Sequence, residues 1–324
     1  MYDVTALGEL LIDFTPSGAS EQGNPLYEQN PGGAPANVLV ALSRLGRKGA
    51  FLGMVGKDQF GSFLRSTLQK EKIETRGLKV SNEVNTTLAF VHLDSAGDRS
   101  FSFYRNPGAD LMLRPEDVDY SIIKESKIFH FGSVSMTGEP AKSATLAAVR
   151  FAKENSVLVS FDPNYRPLLW KSKEEAQSVV KEGLQYADIL KVSDEELKLI
   201  TGKADLREGA GILFKQGINL IFITLGSRGC LFCCAAGCEL IPSYAVKTID
   251  TTGAGDAFWG AALYHLGKKT KAELNQISIS QMRTIVKFSC AAGALTTTKK
   301  GAIPGIPTRE EIEAFINDQK DSID

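Results

Sequence analysis

The sequence predicts an α/β fold, with a mostly parallel central sheet covered by helices on both faces and a small β excursion beside it. Three observations predict it. Short apolar runs alternate with longer amphipathic runs along most of the 324 residues, and repeated β-α units close as a parallel sheet buried on both sides. No linker or low-complexity stretch interrupts them, so the chain reads as one domain over 1–324. One segment, "TTLAFVHLDSAGDRSFSFYR", breaks the rhythm with two alternating runs around "SAGD", which is a hairpin signal.

Each element follows from local pattern. "YDVTALGELLIDF" reads as one buried first strand, followed by a polar, Gly/Pro-rich stretch to about Pro31. A helix is expected from Ala36 to Leu45, with Val38, Leu42 and Leu45 on its apolar face and Gly46 ending it. "AFLGMVG" is the next strand, and "FGSFLRSTLQKEK" is a helix with Phe60, Phe63, Leu64 and Leu68 at helical spacing. After the hairpin the rhythm returns as strand "KIFHFG", helix "EPAKSATLAAVRFAKEN", strand "VLVSFD" and helix "KEEAQSVVKEGLQYA". Ser172 and Glu175 spell a capping box for that last helix. Strand "ADILKVS", a helix, strand "NLIFITLG", hairpin "CLFCCAAGCELIP", helix "GDAFWGAALYHLG" and a closing helix pair complete the order. A small β lid is expected from approximately 14–30 and 85–106. Ligands of such sheets sit beyond the carboxyl ends of the strands.

Composition narrows the function classes. A net charge of −1 argues against a general nucleic-acid binder, which carries a basic excess. It leaves room for a local positive site that handles a phosphate. No apolar run approaches the ~18 to 20 residues of a membrane span. The start "MYDVTALGELLIDF" lacks the basic, apolar and cleavage regions of a signal peptide. Four of the five cysteines, Cys230, Cys233, Cys234 and Cys238, share one short stretch. An odd, adjacent set makes no disulfide framework, so a reduced, cytoplasmic protein is expected. The spacing CxxCCxxxC also lacks the second CxxC of a tetrathiolate zinc site. Read as a β-ribbon, it puts Cys230 and Cys234 on one face and Cys233 on the other, where thiols pack as small hydrophobes.

The best candidate for chemistry is "DTTGAGDAFWG", Asp250 to Gly260. Small residues at a helix start let backbone N–H groups converge on one point, and the helix N-terminus adds positive potential. That makes an anion hole with Asp256 at its edge, although an isolated GxGD is equally ordinary helix-entry chemistry. Two rival phosphate motifs fail. "ALYHLGKKT" has Ala262 where a P-loop needs glycine and Lys269 at its Ser/Thr position, and GxGxxG would need glycine at Phe258. A second constellation is "NPGGAPANVLVALSRLG", where Pro31, Gly32 and Gly33 permit close backbone approach and Asn37 offers an amide. Asp13 can accept hydrogen bonds from hydroxyl groups.

These two constellations in this order resemble the signatures of the ribokinase/PfkB carbohydrate kinase family. "DTTGAGDAFWGAAL" matches the C-terminal signature, and "GGAPANVLVALSRLG...G", with Gly46 and Gly56 in place, matches the N-terminal one. Leu39 departs from the usual small residue, which bears on helix packing. The resemblance runs from Gly8 to the closing "KKGAIPGIPTREEI", and two distant signatures in register outweigh the structural reading of Asp256. It implies a ribokinase-like three-layer αβα sandwich that moves the γ-phosphoryl of ATP to a sugar hydroxyl. Asp256 would be the base, and Gly253, Ala254 and Gly255 the anion hole. The ionised Asp256 at a helix start is expected to be a weak base. Sugar contacts are implied for Asp13, Gly32, Gly33 and Asn37, joined by Phe103 and Arg105 of the lid and by Arg166 of "FDPNYR". Phe101, Phe103 and Arg105 share a strand face by alternation. "SDEE" resembles the family's NxxE element, with Ser193 replacing asparagine and Glu196 holding Mg²⁺ through water, while the same two residues spell a capping box. Thr224, Gly226, Ser227 and Gly229 match the nucleotide-binding turn. Asp250 and Thr252, with carbonyls near Thr296, Lys299, Gly301 and Gly305, are the implied K⁺ site. Within the family the chain looks most like fructokinases, with 2-keto-3-deoxygluconate kinase and then ribokinase as alternatives. Partners would be sugar and ATP, without nucleic acid or membrane, and a homodimer through the lid. An inactive sugar-binding protein and a zinc module are the readings outside the class.

Overall fold

A computed structural model describes the backbone of residues 1–93 and 99–321, and side chains outside 93–101 and 320–324. The strands in chain order are β1 (Tyr2–Leu7), β2 (Leu11–Ala19), β3 (Pro25–Gly32), β4 (Gly49–Gly56) and β5 (Leu78–Ser81). Next come β6 (Leu88–Leu93), β7 (Arg99–Tyr104), β8 (Ser126–Gly132) and β9 (Leu158–Asp162). The last are β10 (Ile189–Ser193), β11 (Leu220–Thr224), β12 (Cys230–Cys234) and β13 (Gly237–Ile241). Nine of them form one sheet in the order β13-β12-β11-β10-β9-β8-β1-β4-β5, and β3-β2-β6-β7 form a second. The large sheet is parallel from β5 to β11, and only the β12–β13 ribbon runs antiparallel.

Helices α1 (Ala34–Arg44), α2 (Gln59–Lys70), α3 (Tyr120–Lys124) and α4 (Ala141–Glu154) are followed by α5 (Lys173–Leu184), α6 (Asp194–Thr201) and α7 (Leu206–Lys215). Then come α8 (Ala254–Leu266), α9 (Lys271–Asn275), α10 (Ile279–Thr296), α11 (Ala302–Gly305) and α12 (Arg309–Asp321). Strand alternation sorts the buried side chains into two cores. Leu220 and Phe222 pack with α1, α8 and α10, while Ile221 and Ile223 pack with α4, α5 and α7 on the other face. The three-layer sandwich expected from the β-α rhythm is the observed fold.

Two expectations need correction. "YDVTALGELLIDF" is two strands in two different sheets, because the chain turns at Gly8–Leu10; a Cβ on Gly8 would stand 2.6 Å from the Pro35 ring. The apolar run continues through the turn, so periodicity could not show it. The polar stretch before Pro31, expected within the lid, holds the strand β3, and β2 with β3 supplies half of the small sheet. Finally, Cys233 and Cys238 are direct cross-strand partners in the β12–β13 ribbon and are joined by a disulfide. The expected faces hold, since Cys230 and Cys234 lie in one core and Cys233 in the other. Alternation along one strand does not reveal register across two, which is why the pair was missed. The hairpin turn around "SAGD" lies outside the described residues.

Leu39 is fully buried and lies against Gly49, so the bulkier side chain fills space that a strand residue leaves open. Gly260 lets α8 sit directly on α1, since a Cβ there would come within 2.6 Å of the Val38 carbonyl oxygen. That close crossing carries Asn37 to Asp256.

Candidate active site

A cavity of about 1190 Å³ opens at the carboxyl ends of the parallel strands, under the small sheet. It exceeds the ~300–1,000 Å³ usual for one small ligand. Its floor is the first turn of α8. Gly253 caps that helix with φ 77°, and a Cβ there would stand 2.7 Å from Cβ of Ala302. The first N–H groups of any helix lack intrahelical acceptors, and here Gly253 and Gly255 line the cavity.

Asp256 follows in the same turn, buried, with both carboxylate oxygens held. Asn37 Nδ2 donates to Oδ2 at 2.8 Å, and Asn164 Nδ2 donates to Oδ1 at 3.3 Å. Burial raises its pKa above the ordinary carboxylate range, against the pull of Lys191 and the Asn37 hydrogen bond. The expectation of a weak base is therefore corrected: lost water outweighs the Lys191 charge and the Asn37 hydrogen bond.

Two groups here were absent from the sequence reading. Lys191, in the middle of β10, is buried and pairs with Asp162 at 2.6 Å. Burial works against its charge, but Asp162, Glu196 and Asp256 outweigh it and hold the ammonium above its usual pKa. Asn164, at φ 48°, is pinned by its N–H to Asp162 Oδ1 at 3.2 Å. The signal in "FDPNYR" was read only for its arginine. Lys191 carried no local signal, because its partner sits on the neighbouring strand.

The lid forms the roof. Leu11, Asp13, Thr15, Val91 and Phe103 face the cavity from its inner side. No hydrogen bond to the Asp13 carboxylate is donated by the described residues. It retains some exposure to the cavity, yet protein crowds it, and this lost hydration pushes its pKa up to about 7 despite Arg166. Gly32 has no room for a Cβ, which would fall on the Asp13 carboxylate, and at Gly33 (φ 116°) it would fall on the Glu9 carbonyl oxygen. Glu9 is a further unanticipated wall residue. Its carboxylate accepts the Ala34 N–H at 2.9 Å, and burial pushes its pKa up to about 7.

Arg105 does not line this cavity. Strand β7 ends at Tyr104, and the guanidinium is buried against Asp110 at 2.6 Å, with Thr137 Oγ1 and the Val134 carbonyl as further acceptors. A buried cation demands an anion, and Asp110 supplies it. The expected role of Arg105 on a sugar is thus replaced by a structural one. Phe103 does line the cavity, the Phe101 side chain lies outside the described residues, and the exposed Arg166 stands at the cavity mouth.

Glu196 is oriented by backbone. Ser193 N–H donates to Oε2 and Tyr165 N–H to Oε1, each at 2.7 Å, and Ser193 Oγ accepts the Glu196 N–H. The capping box is real, and one lone-pair direction per oxygen remains for water. No group of three acidic, histidine or cysteine side chains converges for a metal among the described residues. Ser193 pairs in register with Thr224, setting the Gly226–Arg228 turn, with Ser227 and Gly229, beside it. That turn lies outside the lining of the main cavity. Asp250 accepts from Thr252 N and Oγ1 and from Gly301 N, and a Cβ on Gly305 would stand 2.7 Å from the Thr296 carbonyl oxygen. These segments therefore meet below α8, whereas the Lys299 ammonium points away to Glu311.

A buried carboxylate at a glycine-rich helix start, facing the lid carboxylate Asp13 across one large cavity, is an arrangement suited to phosphoryl transfer onto a small polyol. The chain belongs to the pfkB family of carbohydrate kinases, whose model matches residues 1–309; it is an ATP-dependent sugar kinase. It is 42% identical over 314 residues to fructokinase-2 of Solanum lycopersicum, covering 95% of this chain and 94% of that protein. A fructokinase with bound ATP from Xylella fastidiosa superposes with TM-score 0.92 at 34% identity, over 99% of this chain and 100% of that one. A fructokinase from Vibrio cholerae in a fructose, ADP and calcium ion bound form gives 0.87 at 38% identity, over 96% and 98%.

Proposed function

We propose that the protein phosphorylates fructose at its 6-hydroxyl with ATP, as one domain over 1–324 whose small sheet serves as the lid. The observation that carries the chemistry is Asp256, held by two amides at the start of α8 and facing Asp13 across one cavity. The likeness to fructokinases along nearly the whole chain supports the choice of sugar.

In this reading Asp13 accepts sugar hydroxyl hydrogen bonds, with Gly32, Gly33 and Asn37 letting the ring approach the backbone and Phe103 covering it. Asp256 takes the proton of the attacking hydroxyl, and its burial raises its basicity toward that task. N–H groups of Gly253 and Gly255 meet the phosphoryl oxygens, while the Ala254 N–H, expected to join them, is turned to the Thr251 carbonyl at 3.3 Å. Glu196 would hold Mg²⁺ through water, and that ion would supply positive charge against the phosphates. The turn with Thr224, Gly226, Ser227 and Gly229 would take the nucleotide beside Ser193. The oxygen set of Asp250, Thr252 and the carbonyls of Thr296, Lys299, Gly301 and Gly305 suits a hard monovalent cation such as K⁺.

An acidic sugar such as 2-keto-3-deoxygluconate fits less well. Glu9 and Asp13 stand at the sugar end, and Arg105, the second cation it would need, is already matched by Asp110. The lid face turned from the cavity exposes Tyr27 and Tyr104, which flank Phe90, with Tyr104 67% exposed, which supports a homodimer through the lid. Among the described residues no helix is long and apolar enough to cross a membrane. Coupled ADP release across fructose, ketodeoxygluconate, ribose, tagatose and aminoimidazole riboside tests the assignment. The highest kcat/KM is expected for fructose, and preference for another sugar overturns it.

A further inference from the structure

We propose that Lys191 is a further catalytic residue, whose ammonium group meets the phosphoryl group in transfer while Asp162 positions it. The inference rests on the sugar-kinase reading of the same cavity and adds a cation that neither signature motif contains.

The placement begins with strand alternation. Leu190 and Val192 belong to the core on the α4–α7 side, so Lys191 projects toward α8 with Ile189. A lysine inside a sheet is costly unless an anion meets it, and Asp162, ending the neighbouring strand β9, does so at 2.6 Å. That contact uses one of three ammonium donors; no other acceptor is matched to Lys191 among the described residues. The side chain lines the cavity, and Nζ would stand 3.4 Å from a Cβ built on Gly255. The unmatched donors therefore lie at the first turn of α8, where the anion hole is.

Asp162 does double duty. Its Oδ2 takes Lys191, and its Oδ1 takes the N–H of Asn164, whose amide in turn holds Asp256. One carboxylate thus sets the spacing between the base and the cation. In the transfer, the sugar oxygen bonds to the γ-phosphorus while the bond from that phosphorus to the bridging oxygen breaks, its electron pair leaving with ADP. The hydroxyl proton goes to Asp256, and Lys191 keeps its proton throughout. Charge spread over the moving group's oxygens is what a fixed ammonium stabilises, with no reorganisation at the moment of reaction.

The competing view is that the pair only fills the sheet, and the test separates the two in the full-length protein. Lys191→Met, Lys191→Arg and the doubly neutral Lys191→Met/Asp162→Asn are compared by coupled ADP release with fructose and ATP, by thermal unfolding, and by binding of ADP with fluoroaluminate and fructose. Lys191→Met is expected to lower kcat by about 10²–10³-fold with the fructose KM within roughly threefold, and Lys191→Arg to retain part of the rate. The double variant, free of an unpaired buried charge, should regain thermal stability without regaining kcat. Fluoroaluminate-dependent affinity should fall roughly as kcat does, with binding of ADP alone unchanged. A double variant turning over within about threefold of wild type overturns the proposal, as does an unchanged kcat in Lys191→Met. Absence of ADP release by the wild type with any sugar of the panel would instead overturn the kinase reading, and this proposal with it.

Discussion

Asp256 and Asp13 look into the same cavity from opposite walls, and they are prepared for ligand in opposite ways. On the floor, each oxygen of Asp256 is already held by an amide, from α1 and from the loop after β9. On the lid, Asp13 has no described donor at all, although its surroundings push its pKa up to about 7. On the proposed function, the contrast separates two tasks. A base must stand at a set angle before the substrate arrives, so the protein supplies its partners from rigid elements. A recognition carboxylate works best when only the ligand's hydroxyls satisfy it, because the gain then appears on binding.

Breaking the floor should have the larger effect. Asp256→Asn keeps the shape but removes the proton acceptor, and we expect kcat to fall by at least ~10²-fold. Near-normal turnover in the folded variant, measured by ADP release, would remove Asp256 from the mechanism. Breaking the lid should act on binding. Asp13→Asn is expected to raise the fructose KM by roughly 10–100-fold, the loss of one or two charge-assisted hydrogen bonds, with a smaller change in kcat. A variant that loses kcat at unchanged KM would contradict the division of labour.

The same substitution should stabilise the unliganded protein at pH 8. With its pKa raised to about 7 in the native state, Asp13 binds its proton more tightly folded than unfolded. Its contribution therefore favours folding below the unfolded value near 4 and is lost as pH rises toward about 7. Asparagine carries no such loss. The Tm of Asp13→Asn should exceed that of wild type by a few degrees at pH 8, roughly 2–4 °C per kcal/mol, and the gain should vanish near pH 4. An equal gain at both pH values would point to packing instead.

A pH profile sharpens the comparison further. Since both Asp256 and Asp13 sit above the ordinary carboxylate range, kcat/KM should fall on the acid side at a higher pH than free carboxylates would impose. The apparent values belong to the coupled pair. Asp13→Asn should simplify that limb, and an unaltered two-step limb would assign it elsewhere. The smallest effect belongs to the cysteine ribbon. Cys233→Ser/Cys238→Ser removes a cross-link closing a very short loop at the sheet edge, so a lower Tm by a few degrees with unchanged kcat is expected. A tenfold loss of activity would mean that the ribbon reaches the nucleotide turn.

Much of the molecule was legible from the chain. Strands β8 to β13 and helices α2, α4, α5 and α8 lie within two or three residues of their expected ends, because periodicity and caps are local. The floor glycines and Asp256 were legible because six consecutive residues build one helix start. The lid was legible in extent but not in where its first strand begins. Its hairpin alternates, but β2 continues an apolar run begun in β1, and nothing local marks where one sheet hands over to another.

The sequence by itself determined the layered α/β class, the glycine-rich helix N-terminus, and the carboxylate beside it. Each is a property of residues adjacent along the chain, so spacing and residue type suffice. Tertiary structure alone decided the pairings. It took Arg105 from the sugar and gave it to Asp110, joined Cys233 to Cys238, and set Lys191 on Asp162, 29 positions away. A buried charge or thiol is settled by whatever partner the fold brings within bonding distance. That distance depends on strand order and register, which a single pass along the chain does not contain.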